Sequence, residues 1–328
     1  MIKVGHIGFG DFGQHRYKVL QKITGVKSIG FFDINKKIFF KKLKSFKSLD
    51  ELLKCVDAVI VAVPPAYASK ISFHALKKGI HVFCEKPPAV NSIQLKQLKQ
   101  LSNKYILAYG FNHRLHDSII EIKRIVDSRK MGKILWMRGR YGKEVDKNYK
   151  NNWRCSPKLN GGGILIDQGI HLLDLMNWFS GEFDYIQGLL SNTFLKIKSI
   201  EDNAFLNLYS SKSNISASLH STITQWRYLF ALEIIFEKGS VVLNGLRTRS
   251  GSYGNEILTI KPNKTKTNKK NMNDKQIIYK KNKSWERELK EFIASIKNNR
   301  KYRYSGYNEA ISIMKLIDNI YANSHWVK

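Results

Sequence analysis

The sequence predicts an α/β protein of two domains, and three observations carry that prediction. An apolar segment, Ile2 to Ile7, runs straight into the glycine-spaced stretch Gly8-Phe9-Gly10-Asp11-Phe12-Gly13 and then into a helical pattern through Leu20. Up to residue 117, short apolar runs alternate with helical patterns, as parallel strands joined by crossover helices do. From residue 118 to 328 strands dominate and follow one another through short turns, which predicts an α+β domain with a large, mostly antiparallel open sheet.

Length and composition agree. At 328 residues the chain exceeds the size at which one core stops growing, about 250–300 residues. A hydrophobic content of 43% excludes a disordered chain, and no apolar run is long enough to span a membrane. The N-terminus lacks the apolar stretch and cleavage site of a secretory signal, and Cys55, Cys84 and Cys155 are odd in number and far apart. Both features predict a cytoplasmic protein with reduced thiols. The excess of 56 basic over 26 acidic residues, a net +30, raises nucleic acid as a partner. The lysines are spread over every predicted element, however, and no nucleic-acid-binding signature accompanies them. The one dense run, Lys261 to Asn271, reads as a solvated loop. Neither nucleic acid nor membrane is expected as a partner, and the charge is kept as a hint of an anionic small molecule.

Taken in order, the first turn is G-x-G-x-x-G between a strand and a helix. Gly8 permits the tight turn, Gly10 lets a pyrophosphate come against the backbone, and Gly13 lets helix pack on strand. A second strand, Ser28 to Phe32, ends in Asp33, about 20 residues on, where an acid binds the adenosine ribose hydroxyls. Together these identify a Rossmann dinucleotide-binding domain. The Asp33 carboxylate favours NAD, while Lys36 and Lys37 keep NADP possible. Ser48 to Leu53 reads as a capped helix, and Ala58 to Val63 as a buried strand stopped by Pro64-Pro65. A helix from Ala66 to Lys78 closes at Gly79, and the strand His81 to Cys84 delivers Glu85-Lys86-Pro87-Pro88. Lys86 thus sits at the C-terminal end of a parallel strand, where open α/β sheets bind ligands.

After a helix from Ser118 to Lys130, the strand Ile134 to Tyr141 opens the second domain. In the loop Asn151 to Arg154, Trp153 and Arg154 offer a stacking surface and an anion contact for a sugar or its phosphate, or else anchor the loop. Gly161-Gly162-Gly163 leaves room for a close approach of backbone or ligand. If a helix follows, Asp167, His171 and Asp174 stand at i, i+4 and i+7 on one face of an otherwise apolar segment. Burying such groups costs several kcal/mol unless they are paired or face a ligand, so they form a candidate proton-handling site. Asp174 either binds substrate hydroxyls or braces the helix. Strands are predicted at 185–190, 204–209, 215–223, 229–236, 240–243, 256–260 and 276–279, then helices at 285–297 and 307–323. Ser221, Thr222, Gln225, Trp226, Arg247 and Arg249 fall where they could approach a sugar. A metal held by Asp167, His171 and Asp174, or by His113 and His116, is not expected, because Lys86 supplies the positive charge.

The order of G-x-G-x-x-G, Asp33, Glu85-Lys86-Pro87 and Gly161-Gly162-Gly163 with Asp167 and His171 resembles the glucose-fructose oxidoreductase, inositol dehydrogenase and MocA family (Gfo/Idh/MocA) over almost the full length. The resemblance implies that Lys86, Asp167 and His171 form a catalytic trio. It also implies that Gly110-Phe111-Asn112-His113-Arg114-Leu115-His116 is the interdomain segment, with Asn112 and Arg114 near cofactor. Phe9, Asp11, Phe12, Pro64 and Glu85 join the cofactor-binding set. Two positions depart from the family pattern: Asp117 where proline is common, and Ala68 where many members carry histidine. The implied activity is an NAD(P)-dependent oxidoreductase moving hydride between nicotinamide and a ring hydroxyl or ketone of a sugar. The arginines point to a nucleotide-linked or acidic sugar, with a cyclitol or neutral aldose as the alternative and a non-catalytic NAD-binding regulator as the alternative of another class. A homo-oligomer, dimer or tetramer, through the C-terminal sheet is expected.

Overall fold

The computed structural model describes residues 1–145, 148–249, 253–263 and 274–327. From residue 264 onward the basic run Lys261–Asn271 lies outside them. The chain forms two units, one of residues 1–112, 158–161 and 284–315, the other of residues 113–157, 162–283 and 316–328.

The first unit is a parallel sheet of β1 (Ile2–Ile7), β2 (Val26–Phe32), β3 (Lys44–Ser45), β4 (Ala58–Val61), β5 (His81–Cys84) and β6 (Leu107–Tyr109) in the order β3-β2-β1-β4-β5-β6. That is the doubly wound dinucleotide-binding order, with its crevice at the ends of the neighbouring strands β1 and β4, where the strand order reverses. The apolar runs become central strands because helices cover both faces, and all four residues of β4 are buried. Helices Asp11–Leu20 and Pro65–Lys77 start and stop within two residues of expectation. Ser48 caps the helix Leu49–Leu53 by accepting the Glu51 N–H at 3.2 Å.

The expected division at residue 117 needs correction. The helix Ser284–Lys297 belongs to the first unit, since Leu289, Phe292 and Ile293 join Ile2, Val4, Val19, Leu20, Ile60 and Phe83 in one buried cluster. Its apolar stripe packs on strands and helices more than 200 residues earlier in the chain, so sequence order alone misassigns it.

The second unit is a sheet of β7 (Ile134–Gly142), β8 (Tyr185–Ser191), β9 (Asn203–Ser210), β10 (Ile215–Thr222), β11 (Leu229–Phe236), β12 (Gly239–Leu246), β13 (Tyr253–Pro262), β14 (Lys275–Tyr279) and β15 (His325–Val327). Its order is β14-β13-β12-β11-β7-β10-β9-β8-β15, antiparallel except where β7 meets β10 and β8 meets β15. The two-residue turn Glu237-Lys238 joins β11 to β12 as a hairpin, with Phe236 opposite Gly239. One face of the sheet packs on the helix Ile170–Ser180. Gly139 of β7 lets the helix come close there, since a Cβ on it would stand 2.8 Å from Met176 Cε. Nine of that helix's eleven residues are buried, each large apolar one contributing about 1.5–3 kcal/mol. Among the described residues no helix is long and apolar enough to cross a membrane.

Candidate functional site

The first unit carries the dinucleotide turn. Gly8 takes φ +79°, and a Cβ there would stand 2.3 Å from Ala62 O at the end of β4, so only glycine fits. A Cβ on Gly13 would stand 2.1 Å from Gly8 O, the close helix-to-strand packing expected. A Cβ on Gly10 meets nothing within 4 Å, and Gly10 and Asp11 are exposed where the helix begins. That open, glycine-lined helix start fits a pyrophosphate. Phe9 contributes only backbone: its ring is fully buried, stacked on Phe31 at 4.3 Å. Its N–H donates to Asp33 Oδ2 at 2.6 Å, while the Asn35 N–H donates to Oδ1 at 2.8 Å. Asp33 therefore ties the glycine turn to the end of β2 and stays half-buried beside it. Lys36 turns elsewhere, donating to Lys47 O at 3.1 Å with its ammonium 4.9 Å from the Phe32 ring. Pro64 precedes the helix after β4, and Ala68, one turn on, is buried.

At the end of β5 the two neighbours Glu85 and Lys86 part company. The Glu85 carboxylate accepts a hydrogen bond from Arg16 Nε inside the unit. Arg16 is fully buried, with Nη2 2.8 Å from Glu288 Oε2 on the helix Ser284–Lys297, a close contact not aligned as a hydrogen bond. Burial pushes the Glu288 carboxyl up to about 8. Lys86 is half-buried and precedes a cis Pro87. Asn112, buried, donates from Nδ2 to Ser284 Oγ at 3.0 Å.

The second unit carries the acid and histidine cluster. The segment after the glycines is not one uniform α-helix: residues Leu165–Gly169 form a π-helical turn that passes into the α-helix Ile170–Ser180. Such wide turns shift side chains relative to α-helical spacing and are frequent at functional sites. Asp167, His171 and Asp174 are all buried, at 4%, 4% and 1% exposure. Asp167 Oδ2 accepts from Lys143 Nζ and Oδ1 from Arg154 Nε, both at 3.2 Å. The His171 ring stacks on His113, centroids 3.7 Å apart, and His113 Nε2 lies 3.1 Å from Tyr141 OH. Asp174 accepts two bonds from Arg114, 2.8 Å from Nε and 2.7 Å from Nη2. Of the two roles open for Asp174, this geometry is that of the brace, and it commits the Arg114 guanidinium to the same fork. Among the described residues no group of three or more His, Cys, Asp or Glu side chains is arranged to hold a metal.

The remaining substrate candidates sort clearly. Trp153 lies under the Arg154 guanidinium at 4.3 Å and supports it. Ser221 and Thr222 are buried; Ser221 donates to Tyr141 O and Ile164 O, and Thr222 pairs with Thr224. Gln225 is half-buried, packed where a Cβ on Gly142 would come within 2.7 Å of it. Trp226 is exposed, edge-on to Phe194. Arg247 donates to Tyr279 O and Asn255 Oδ1, which makes it a clasp between strands, and Arg249 is exposed.

Sequence reading missed Lys143, Tyr149, Glu201 and Arg16. Glu201 is fully buried and accepts from Gly163 N at 2.9 Å, Leu165 N at 2.8 Å and Tyr321 OH at 3.0 Å. Burial raises its carboxyl to about 7. The glycines face protein here: a Cβ on Gly162 would stand 2.0 Å from Tyr321 OH, and one on Gly163 2.0 Å from Glu201 O. A signal existed for Arg16, which shares the buried stripe of Gly13, Val19 and Leu20 at helical spacing.

Comparison with known proteins bears on the same residues. The family described as "Oxidoreductase family, NAD-binding Rossmann fold" matches residues 2–113, and "GFO/IDH/MocA C-terminal domain" matches residues 119–242. A glucose-6-phosphate 3-dehydrogenase of Bacillus subtilis is 30% identical over 195 residues, 57% of this chain and about half (55%) of that protein. Among solved structures, a UDP-N-acetylglucosamine 3-dehydrogenase from Acidithiobacillus ferrooxidans superposes with TM-score 0.81 at 17% identity, covering 98% of this chain and 97% of that one. A levoglucosan dehydrogenase in complex with NADH and levoglucosan does so with TM-score 0.85 at 17% identity, covering 98% and 96%. These two establish likeness of fold. With both halves matched in order, the chain belongs to the Gfo/Idh/MocA oxidoreductase family and carries its NAD-binding Rossmann domain.

Proposed function

We propose that this protein is an NAD-dependent dehydrogenase or reductase acting on a ring hydroxyl or ketone of an anionic sugar, nucleotide-linked or acidic. The observation that carries the reading is the presence, in one buried segment, of both the carboxylate Asp167 and the imidazole of His171, each 4% exposed. Such groups are costly to bury and are kept where protons move. The bound nicotinamide supplies the hydride acceptor or donor. His171, neutral, takes the proton of the substrate hydroxyl, and Asp167 stabilises the imidazolium. Lys86, in the role the family resemblance implies, stabilises the oxygen as it loses its proton. NAD is favoured over NADP because Asp33 stands beside the glycine turn while Lys36 is turned onto Phe32 and Lys47.

An anionic substrate is favoured by Arg154, whose side chain is 35% exposed and rests on Trp153, an arrangement suited to a phosphate or carboxylate. The test is incubation with NAD and paired substrates, each sugar with and without its nucleotide or acid group, following NADH absorbance and product mass. Nucleotide-linked or acidic sugars should be turned over best and bind less tightly as salt rises. Turnover of scyllo-inositol or glucose with equal efficiency would sink the anionic reading. The three free thiols Cys55, Cys84 and Cys155 suit a cytoplasmic protein. A homo-oligomer assembled through the open face of the nine-stranded sheet completes the proposal.

A further inference from the structure

The Lys143 ammonium is nearly buried, its side chain 11% exposed, and it follows directly on the last residue of β7. It lies 3.2 Å from Asp167 Oδ2 and donates to Tyr149 OH at 2.9 Å, with the Tyr149 ring 4.5 Å from Nζ. Arg154 occupies the other oxygen of Asp167. Two cations thus grip one carboxylate on separate oxygens, one from a strand end and one from a loop. They differ in access, 11% against 35% exposed, so the lysine is the fixed member of the pair. A buried ammonium is expensive to keep, and an ordinary loop anchor does not require one.

We propose that Lys143 is a positioning residue of the reaction, acting through Asp167: held by Tyr149, it keeps Asp167 ionised and fixed in orientation in the segment that carries His171. The proposal rests on the dehydrogenase reading above. Tyr141, on the strand that leads to Lys143, places its hydroxyl 3.1 Å from Nε2 of His113, the ring stacked on His171, and its own ring centre lies 6.4 Å from that of His171. The other groups that act on Lys143 are Arg154 and Cys155, and burial lowers its own proton affinity against the pull of Asp167.

The experiment measures the pH dependence of kcat/KM for sugar oxidation in wild type, Lys143→Met, Lys143→Arg, Tyr149→Phe, Asp167→Asn and the double variant Lys143→Met/Asp167→Asn. Loss of the ammonium makes protonation of its neighbours easier, so the acid limb of Lys143→Met should move to higher pH by about one unit. Its kcat should fall on the order of 100-fold, the usual cost of a misplaced catalytic group. Lys143→Arg should restore the limb, and Tyr149→Phe, which is conservative enough to fold, should move it in the same direction by less. In the Asp167→Asn background Lys143→Met should add little, because the two act as a unit. NAD titration and thermal melting identify variants that have merely unfolded. An unmoved acid limb in both Lys143→Met and Tyr149→Phe, or additive losses in the double variant, overturns the role of Lys143 while leaving the dehydrogenase intact. No turnover of any sugar by the wild-type protein overturns the dehydrogenase reading itself, and this role with it.

Discussion

At the scale of the residue, two acids of the first unit make opposite demands. Asp33 accepts two backbone N–H groups, one of them from the dinucleotide turn, and in the proposed role Asp33→Ser removes its charge-assisted contact with the adenosine ribose. Such bonds are worth about 1.5–3 kcal/mol, so NAD affinity should fall roughly 10- to 100-fold while NADP affinity changes much less. Fluorescence titration with both cofactors checks this, and an unchanged preference would mean the ribose is held elsewhere. Glu288, in contrast, is a buried acid between the helix Ser284–Lys297 and Arg16, with Glu85 on the same guanidinium. Its carboxyl lies at about 8 in the fold against 4.5 unperturbed. A raised acid contributes stability that is complete below about 4.5 and is lost as pH rises through about 8. Glu288→Gln, which copies the protonated form, should therefore gain in melting temperature relative to wild type as pH is raised from 5 to 8. A difference that stays flat over that range would show Glu288 ionised throughout.

At the scale of the element, the triple glycine shows what a sequence discloses and what it hides. That Gly161-Gly162-Gly163 permits a close approach was legible from the absence of Cβ. What approaches was not, because Tyr321 and Glu201 come from segments more than 35 residues away, |i−j| being 120 between Tyr321 and Glu201 and 38 between Glu201 and Gly163. The same limit explains Asp167: its helical spacing was readable, but the π-helical turn and the partners Lys143 and Arg154 depend on tertiary packing. The parallel strands β1, β4 and β5 were legible because burial on both faces leaves continuous apolar runs. The three-residue β6 was not, since so short a run carries no period. The glycines also yield a graded prediction. Gly162→Ala meets the end of the Tyr321 side chain, which can yield by giving up its hydrogen bond to Glu201, whereas Gly163→Ala meets the Glu201 backbone, which cannot. Overpacking of this kind costs about 1–3 kcal/mol or more, and thermal melts should rank Gly163→Ala well below Gly162→Ala. Equal loss would mean that the Glu201 segment yields as readily as a side chain.

At the scale of the whole molecule, the unsettled feature is the uncovered face of the second sheet. The side chains that alternate away from the helix Ile170–Ser180 line up across strands in three rungs. Trp136 stands beside Ser216, Tyr209 and Tyr185; Arg138 beside Ser218, Asn207 and Gln187; Arg140 beside His220, Phe205 and Leu189. Trp136, Tyr185, Leu189 and Phe205 are 37%, 60%, 41% and 46% exposed, and the Phe205 ring stacks on His220 at 3.9 Å. Apolar side chains exposed side by side on an otherwise strongly charged chain are the kind of surface that interfaces use. The mixture of aromatic and arginine side chains is the composition of interface cores, which are poor in lysine. A lysine-rich exterior interrupted by these aromatic and arginine rungs is the surface the proposed packing of a second copy, sheet to sheet, would use. An isologous contact of this kind doubles every substitution, since each residue appears on both sides. If the proposed assembly holds, Phe205→Glu together with Trp136→Glu would bring like charges into its interface and should lower the mass seen in light scattering at micromolar concentration to that of a monomer. NAD binding should persist, because the dinucleotide turn lies in the other unit. A wild-type protein that is already monomeric, or a double variant that keeps its oligomeric mass, removes this sheet face as the assembly surface.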